Sequence, residues 1–113
     1  TCALPILLVL VSAGRLVWDS VNILLEASPA HINVDTVRQA MLTVEGVLSV
    51  HDLHVWSITS GQDAIAAHVV VCEGLSHLDI LDKLQSILTE QFKLGHSTLQ
   101  LEDTPCDGEE FHC

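Results

Sequence analysis

Basic residues are scarce in this chain. Four lysines and arginines stand against 15 aspartates and glutamates in 113 residues, a formal charge of −11. Clustered cations are what neutralise a phosphate backbone, so nucleic acid is excluded as a partner, while divalent cations or a basic partner suit such a surface. No phosphate-cradling loop, dinucleotide glycine pattern or Gly-x-Ser-x-Gly elbow occurs, and the residues support no enzyme. Internal repeats and low-complexity segments are missing too. The four cysteines, at positions 2, 72, 106 and 113, fall in an apolar run, a strand and an acidic tail. They suggest no disulfide framework, lack zinc-finger spacing and fit a reduced compartment.

Apolar residues nevertheless make up 49% of the chain, and the mean hydropathy is +0.43. That is high for so acidic a protein and implies that the apolar residues are concentrated. From Cys2 to Gly14 no side chain is charged. This stretch alone is shorter than the ~20 residues that span a bilayer, and it reads as the end of a transmembrane helix. A buried core helix or a signal remnant is the rival, but a basic leader region and a cleavage motif are lacking. Arg15 and Asp19 are spaced four apart, and apolar residues carry the helix to about Glu26, where Ser28-Pro29 breaks it. Arg15 is a weak indication that this end is cytoplasmic.

Length leaves room for one small domain beyond that boundary. Asn33 is placed to cap a helix with apolar positions Val34, Val37, Met41 and Val44, and Gly46 to lie just past its end. Val47–Ile58 and Ala64–Cys72 read as strands joined through Thr59-Ser60-Gly61-Gln62. Ser76 and Asp79 form a capping pair for a second helix, with a stripe of Leu78, Leu81, Leu84 and Leu88 widened by Ile80 and Ile87, closed by Gly95. Ser97–Glu102 is a third strand. The expected fold is α+β, in the order α-β-β-α-β, with helices over one face of a small sheet.

Chemistry is concentrated in His51-Asp52-Leu53-His54-Val55-Trp56, where imidazoles and a carboxylate interrupt a strand. Folding the hairpin about Ser60 and Gly61 makes His51 and His68 cross-strand or diagonal neighbours, roughly 5–8 Å apart. Two such imidazoles can share one metal ion, or can be polar edge residues with a structural role. Glu102 and Asp103 at the end of the third strand are further ligand candidates, with a solvated strand end as the alternative. Cys106, His112 and Cys113 lie among acids and could fold onto a zinc site or belong to a plain acidic tail. His54 and Trp56 alternate with His51 and are expected on the opposite sheet face, Trp56 for packing or a subunit contact. His77 opens the second helix; His31 and His96 lie in loops, free to bind metal without being required to.

The segments Arg15–Ala27, Val47–Gly61 and Ala67-His68-Val69, in this order, resemble the cation diffusion facilitators. In that family they form the end of the sixth transmembrane helix, a linker and the cytoplasmic domain. The resemblance runs from the apolar run to about Asp103. It implies a homodimeric membrane exporter of zinc, or of cobalt or cadmium, coupled to proton antiport. It also implies a ferredoxin-like, metallochaperone-like cytoplasmic domain that binds metal near the dimer interface. Residues 1–27 would then be the helix end and linker, 28–103 the cytoplasmic metal-binding dimerisation domain, and 104–113 the acidic Cys/His tail.

Matched by position, His51, His68, His77 and Asp103 correspond to ligands of bacterial members. Glu102 corresponds to a ligand of vesicular zinc transporters, whose tail cysteines Cys106 and Cys113 resemble loosely. Leu101 stands where some bacterial members carry a third histidine, which points away from a binuclear site. Glu26 matches an acid that locks the dimer in some members. The family's transport site lies on its second and fifth transmembrane helices, which this sequence does not include. Imidazole, carboxylate and thiolate together favour zinc over magnesium or calcium, with cobalt, cadmium, nickel and iron open. The competing readings are a metal-independent structural dimerisation domain and a soluble ferredoxin-like metal carrier.

Overall fold

The computed structural model describes residues 3–106; Cys2 and residues 107–113, with His112 and Cys113, lie outside the described residues. The first helix, α1 (Ala3–Leu24), runs unbroken for 22 residues and buries none of them. At ~1.5 Å per residue it is long enough to cross a bilayer, and its apolar composition allows it. It stops before the proline that was expected to break it. The Glu26 N–H donates to the Ile23 carbonyl and the Ala27 N–H to the Asn22 carbonyl, both at 3.1 Å. Glu26 itself takes the left-handed conformation, with φ +51°. This is a Schellman closure, built without the usual glycine.

Helix α2 (Val34–Met41) begins where Asn33 accepts a hydrogen bond from the Thr36 N–H at 3.0 Å. It ends at Met41, earlier than Gly46, and a series of tight turns carries the chain on. Gly46 serves a different purpose there. Its φ is +94°, and a Cβ at that position would collide with the Leu75 side chain. Val37 and Met41 are fully buried.

Strands β1 (Val47–Thr59) and β2 (Gln62–Cys72) form the antiparallel hairpin, turned at Gly61 with φ +83°. Helix α3 (His77–Phe92) starts with the Ser76 hydroxyl accepting from the Asp79 N–H. Lys93, not Gly95, closes it in the left-handed conformation, and the Leu94 N–H reaches back to the Leu88 carbonyl at 3.0 Å. The buried stripe of α3 is Ile80, Leu84 and Leu88; Leu78, expected within it, is 74% exposed. Strand β3 (His96–Thr104) runs parallel to β2, giving the sheet order β1-β2-β3 with β2 central. The α-β-β-α-β order therefore stands, preceded by α1. Ile65, Ala67, Val69 and Val71 of β2 point to the helices and are almost wholly buried, while among the described residues neither α2 nor α3 covers the other face of the sheet.

Asp63 is a buried acid at the start of β2, 8% exposed. The Ser57 hydroxyl donates to one carboxylate oxygen at 2.7 Å, and His31 Nε2 lies 2.7 Å from the other. The His31 contact fastens the segment after α1 to the hairpin, and the Ser57 contact ties β1 to β2. Replacing Asp63 with alanine is expected to destabilise the domain by about 1–3 kcal/mol, read as a lower urea midpoint. Most of that loss comes from Ser57, because the His31 side chain is 69% exposed and solvent screens its contribution.

Candidate metal centre

An undistorted hairpin folded about Ser60 and Gly61 would set His51 opposite Val70, two residues past His68. The observed register is different. Thr59 pairs with Gln62, but shifts between Ser57 and Thr59 and between His51 and His54 each absorb an extra residue of β1. His51 thereby faces His68 directly. Asp52 sits in the second irregularity with φ +48°, a conformation that aspartate tolerates better than most residues.

The same bulge reverses the alternation of β1. Val50, Leu53 and Val55 are all buried against the helices. His51, His54 and Trp56 pair with His68, Ala66 and Ala64 on the open face. His54 and Trp56 were expected opposite His51; they share its face, because one extra residue inverts every position beyond it.

Strand β3 delivers the third group. Glu102 lies beside Val70 in the parallel register and its carboxylate reaches both rings. His68 Nδ1 is 2.6 Å from Oε1, and His51 Nε2 is 3.4 Å from Oε2. The two imidazole centroids are 5.2 Å apart. One donor atom from each of His51, His68 and Glu102 falls within 4.8 Å of the others. Zinc–nitrogen and zinc–oxygen bonds of ~2.1 Å put tetrahedral ligands ~3.4 Å apart, so small side-chain rotations would close this set around an ion. Asp52 Oδ2 lies 3.3 Å from His51 Nδ1, the outer carboxylate that commonly orients a metal-binding imidazole and leaves its other nitrogen free. In the sequence Asp52 shows only as an acid next to a strand histidine, the signal that points to this part.

The remaining candidates are placed elsewhere. Asp103 follows Glu102 and so points from the other face of β3, where it meets His77 Nε2 at 2.7 Å. The six candidate ligands within the described residues thus divide into a triad on the open face, a His77–Asp103 pair on the helix side, and Cys106 past the end of β3. Leu101 packs against the core. Cys106 is joined to Cys72 in a disulfide, with the Cα atoms 5.2 Å apart, so no cysteine pairing being expected is corrected here. The reason is the parallel strand: β3 ends alongside β2, with Thr104 beside Cys72, and brings the tail to the first strand pair's far end. Cys113 lies outside the described residues. Glu26 and His54 both line a cavity of about 320 Å³ with Ser28 and Trp56.

Hydrogen bonding from His68, assisted by His51 and by the charge of both rings, holds the Glu102 carboxyl below its ordinary value of 4.5. The stability it contributes is present above pH 4.5 and is lost as the pH falls through the lower folded value. Imidazole must be unprotonated to ligate a metal, whereas Glu102 stays ionised throughout the neutral and mildly acid range. Metal affinity should therefore be weaker at pH 5.5 than at pH 7.5, and Glu102→Gln should lower the affinity at pH 7.5 by removing one of the three donors. Titrations at pH 5.5 and 7.5 on both proteins check this.

Residues 29–104 match the family described as cation efflux protein, cytoplasmic domain. The chain belongs to the cation efflux family. It is 37% identical over 98 residues to the human probable proton-coupled zinc antiporter SLC30A4, covering 85% of this chain and 23% of that protein. It is 36% identical over 93 residues to the metal cation efflux system protein CzcD of Cupriavidus metallidurans, covering 81% of this chain and 29% of that one. The chain thus spans about a quarter of the length of these cation efflux relatives. Among solved structures, the metal-bound C-terminal domain of the CzcD transporter aligns with a TM-score of 0.60 at 33% identity, over 63% of this chain and 99% of that domain. A MamM C-terminal domain at 15% identity, with a TM-score of 0.54, shares the fold. These relatives are transporters, and the domain they share with this chain is an α+β metallochaperone-like one.

Proposed function

We propose that this chain is the metal-sensing, dimerising cytoplasmic end of a proton-coupled exporter of divalent cations, held to the membrane by α1. The observation that carries the reading is the convergence of His51, His68 and Glu102 from three strands onto the open sheet face. Two nitrogens and a carboxylate oxygen are a zinc-type donor set, with cobalt and cadmium as the chemically nearest substitutes. His51, His68 and Glu102 would hold the ion, and the ion would supply positive charge where an acidic domain has none. A fourth ligand would come from water, from a second copy of the chain or from the tail.

The sensing step follows from charge and geometry. Two copies that each carry −11 repel one another, and a cation held at the exposed face reduces that repulsion. Binding shifts the equilibrium between a separated and an apposed pair only by the difference in its affinity for the two. The triad's own hydrogen bonds matter here. Glu102 itself contacts both histidines, an arrangement that a metal-independent dimerisation domain would also use. Sedimentation velocity of the chain with and without zinc separates the two readings. A sensing domain gives a faster, more compact dimer on adding zinc, and loses that response when His51 and His68 are alanine. A structural domain sediments identically in every case.

A further inference from the structure

We propose that Cys72 and Cys106 are a reversible oxidation site that fastens the start of the C-terminal tail to the sheet. The parallel pairing of β3 with β2, which is independent of the metal triad, ends with Cys72 beside Thr104 and with the Glu73 N–H donating to the Thr104 carbonyl at 2.9 Å. Cys106 stands two residues past Thr104, so extended geometry returns it to the side that Cys72 occupies. The Cα atoms are 5.2 Å apart, within the ~4.4–6.8 Å that a disulfide needs. Sheet pairing holds Cys72 beside Thr104, which keeps Cys106 within two residues of Cys72's strand partner when the thiols are reduced.

The matched domain is cytoplasmic, and disulfides in that compartment are mostly transient and redox-responsive. The reagent class is a small disulfide of the glutathione type. Cys106 is exposed and Cys72 half-buried, which orders the exchange. The Cys106 thiolate attacks one sulfur of the small disulfide and expels the other half as a thiolate. The Cys72 thiolate then attacks Cys106 Sγ in the mixed disulfide and expels the second half. In total the pair loses two electrons and two protons, and the small disulfide becomes two thiols. The product closes a loop over a sequence separation of 34 residues that contains α3 and β3. It also withdraws the Cys106 thiolate from any other use, metal ligation included.

The test equilibrates the full chain, in detergent, with glutathione at a series of reduced-to-oxidised ratios. Free thiols are trapped with a maleimide and linked peptides are identified by mass spectrometry, alongside thermal unfolding of each sample. A Cys72–Cys106 peptide should form within one chain, disappear on returning to reduced glutathione, and raise the unfolding midpoint by roughly 10 °C or more. Cys72→Ser and Cys106→Ser should each abolish the rise and leave the remaining cysteine of the pair open to the maleimide. Labelling of Cys72 at every ratio, pairing of Cys106 with Cys2 or Cys113, linkage between chains, or an unchanged midpoint would each overturn the proposal.

Discussion

Replacing His51 and His68 together with alanine should abolish saturable zinc binding while leaving the domain folded. Two of the three convergent donors are removed, and what remains is one carboxylate on an exposed strand. Losing only an outer-shell partner of a metal ligand weakens affinity ~10–100-fold, so losing two direct ligands should weaken it by more than ~100-fold. The cost to folding is small, because both side chains are about one-third exposed, at 36% and 37%, and lie on the face away from the helices. Surface changes of this kind stay within ~0.5 kcal/mol each. Calorimetric titration of both proteins, kept reduced, reads the affinity, and thermal unfolding reads the fold. Equal heats from the two would show that the strand pair takes no part in binding, and would turn attention to His77–Asp103 or to the tail. Asp52→Ala supplies an internal check. If Asp52 only orients His51, affinity should fall by ~10-fold or more while binding remains saturable.

The largest effect on stability should come from Leu84→Ala. Leu84 is fully buried at the centre of the α3 stripe, between Ile80 and Leu88, with β2 beneath it in the same core. Truncating a buried leucine costs the lost transfer energy plus the cavity left behind, about 2–5 kcal/mol. A small domain holds ~5–15 kcal/mol in all, so this one change should remove a large part of it. Urea unfolding followed by circular dichroism would show the midpoint falling at constant slope. Leu78→Ala on the same helix is the control, with a change near zero, since that side chain is 74% exposed. A comparable loss from both would mean that the stripe has been placed one helical face off.

Much of this architecture was legible from neighbouring residues alone. Asn33 and Ser76 cap their helices through side-chain bonds that reach three residues, and both caps are found. Apolar spacing located α2, α3 and the strands because it records which face is buried. The ends were less secure for an equally local reason. Glu26 and Lys93 take left-handed conformations that glycine usually supplies, so neither Ser28-Pro29 nor Gly95 marks the actual end of its helix.

The sequence by itself determined the elements, their order, the acidic surface and the pool of histidines, carboxylates and cysteines from which a site could be made. Tertiary structure decided which of them meet. A bulge at Asp52 slides His51 opposite His68 and turns His54 and Trp56 onto the same face, and no periodicity reveals one inserted residue. Parallel pairing of β3 with β2 sends Glu102 to the triad, Asp103 to His77 and Cys106 to Cys72. Those contacts span 26 to 34 positions in the chain. They depend on strand direction and register, which are fixed by packing α3 against the sheet rather than by any residue's immediate neighbours.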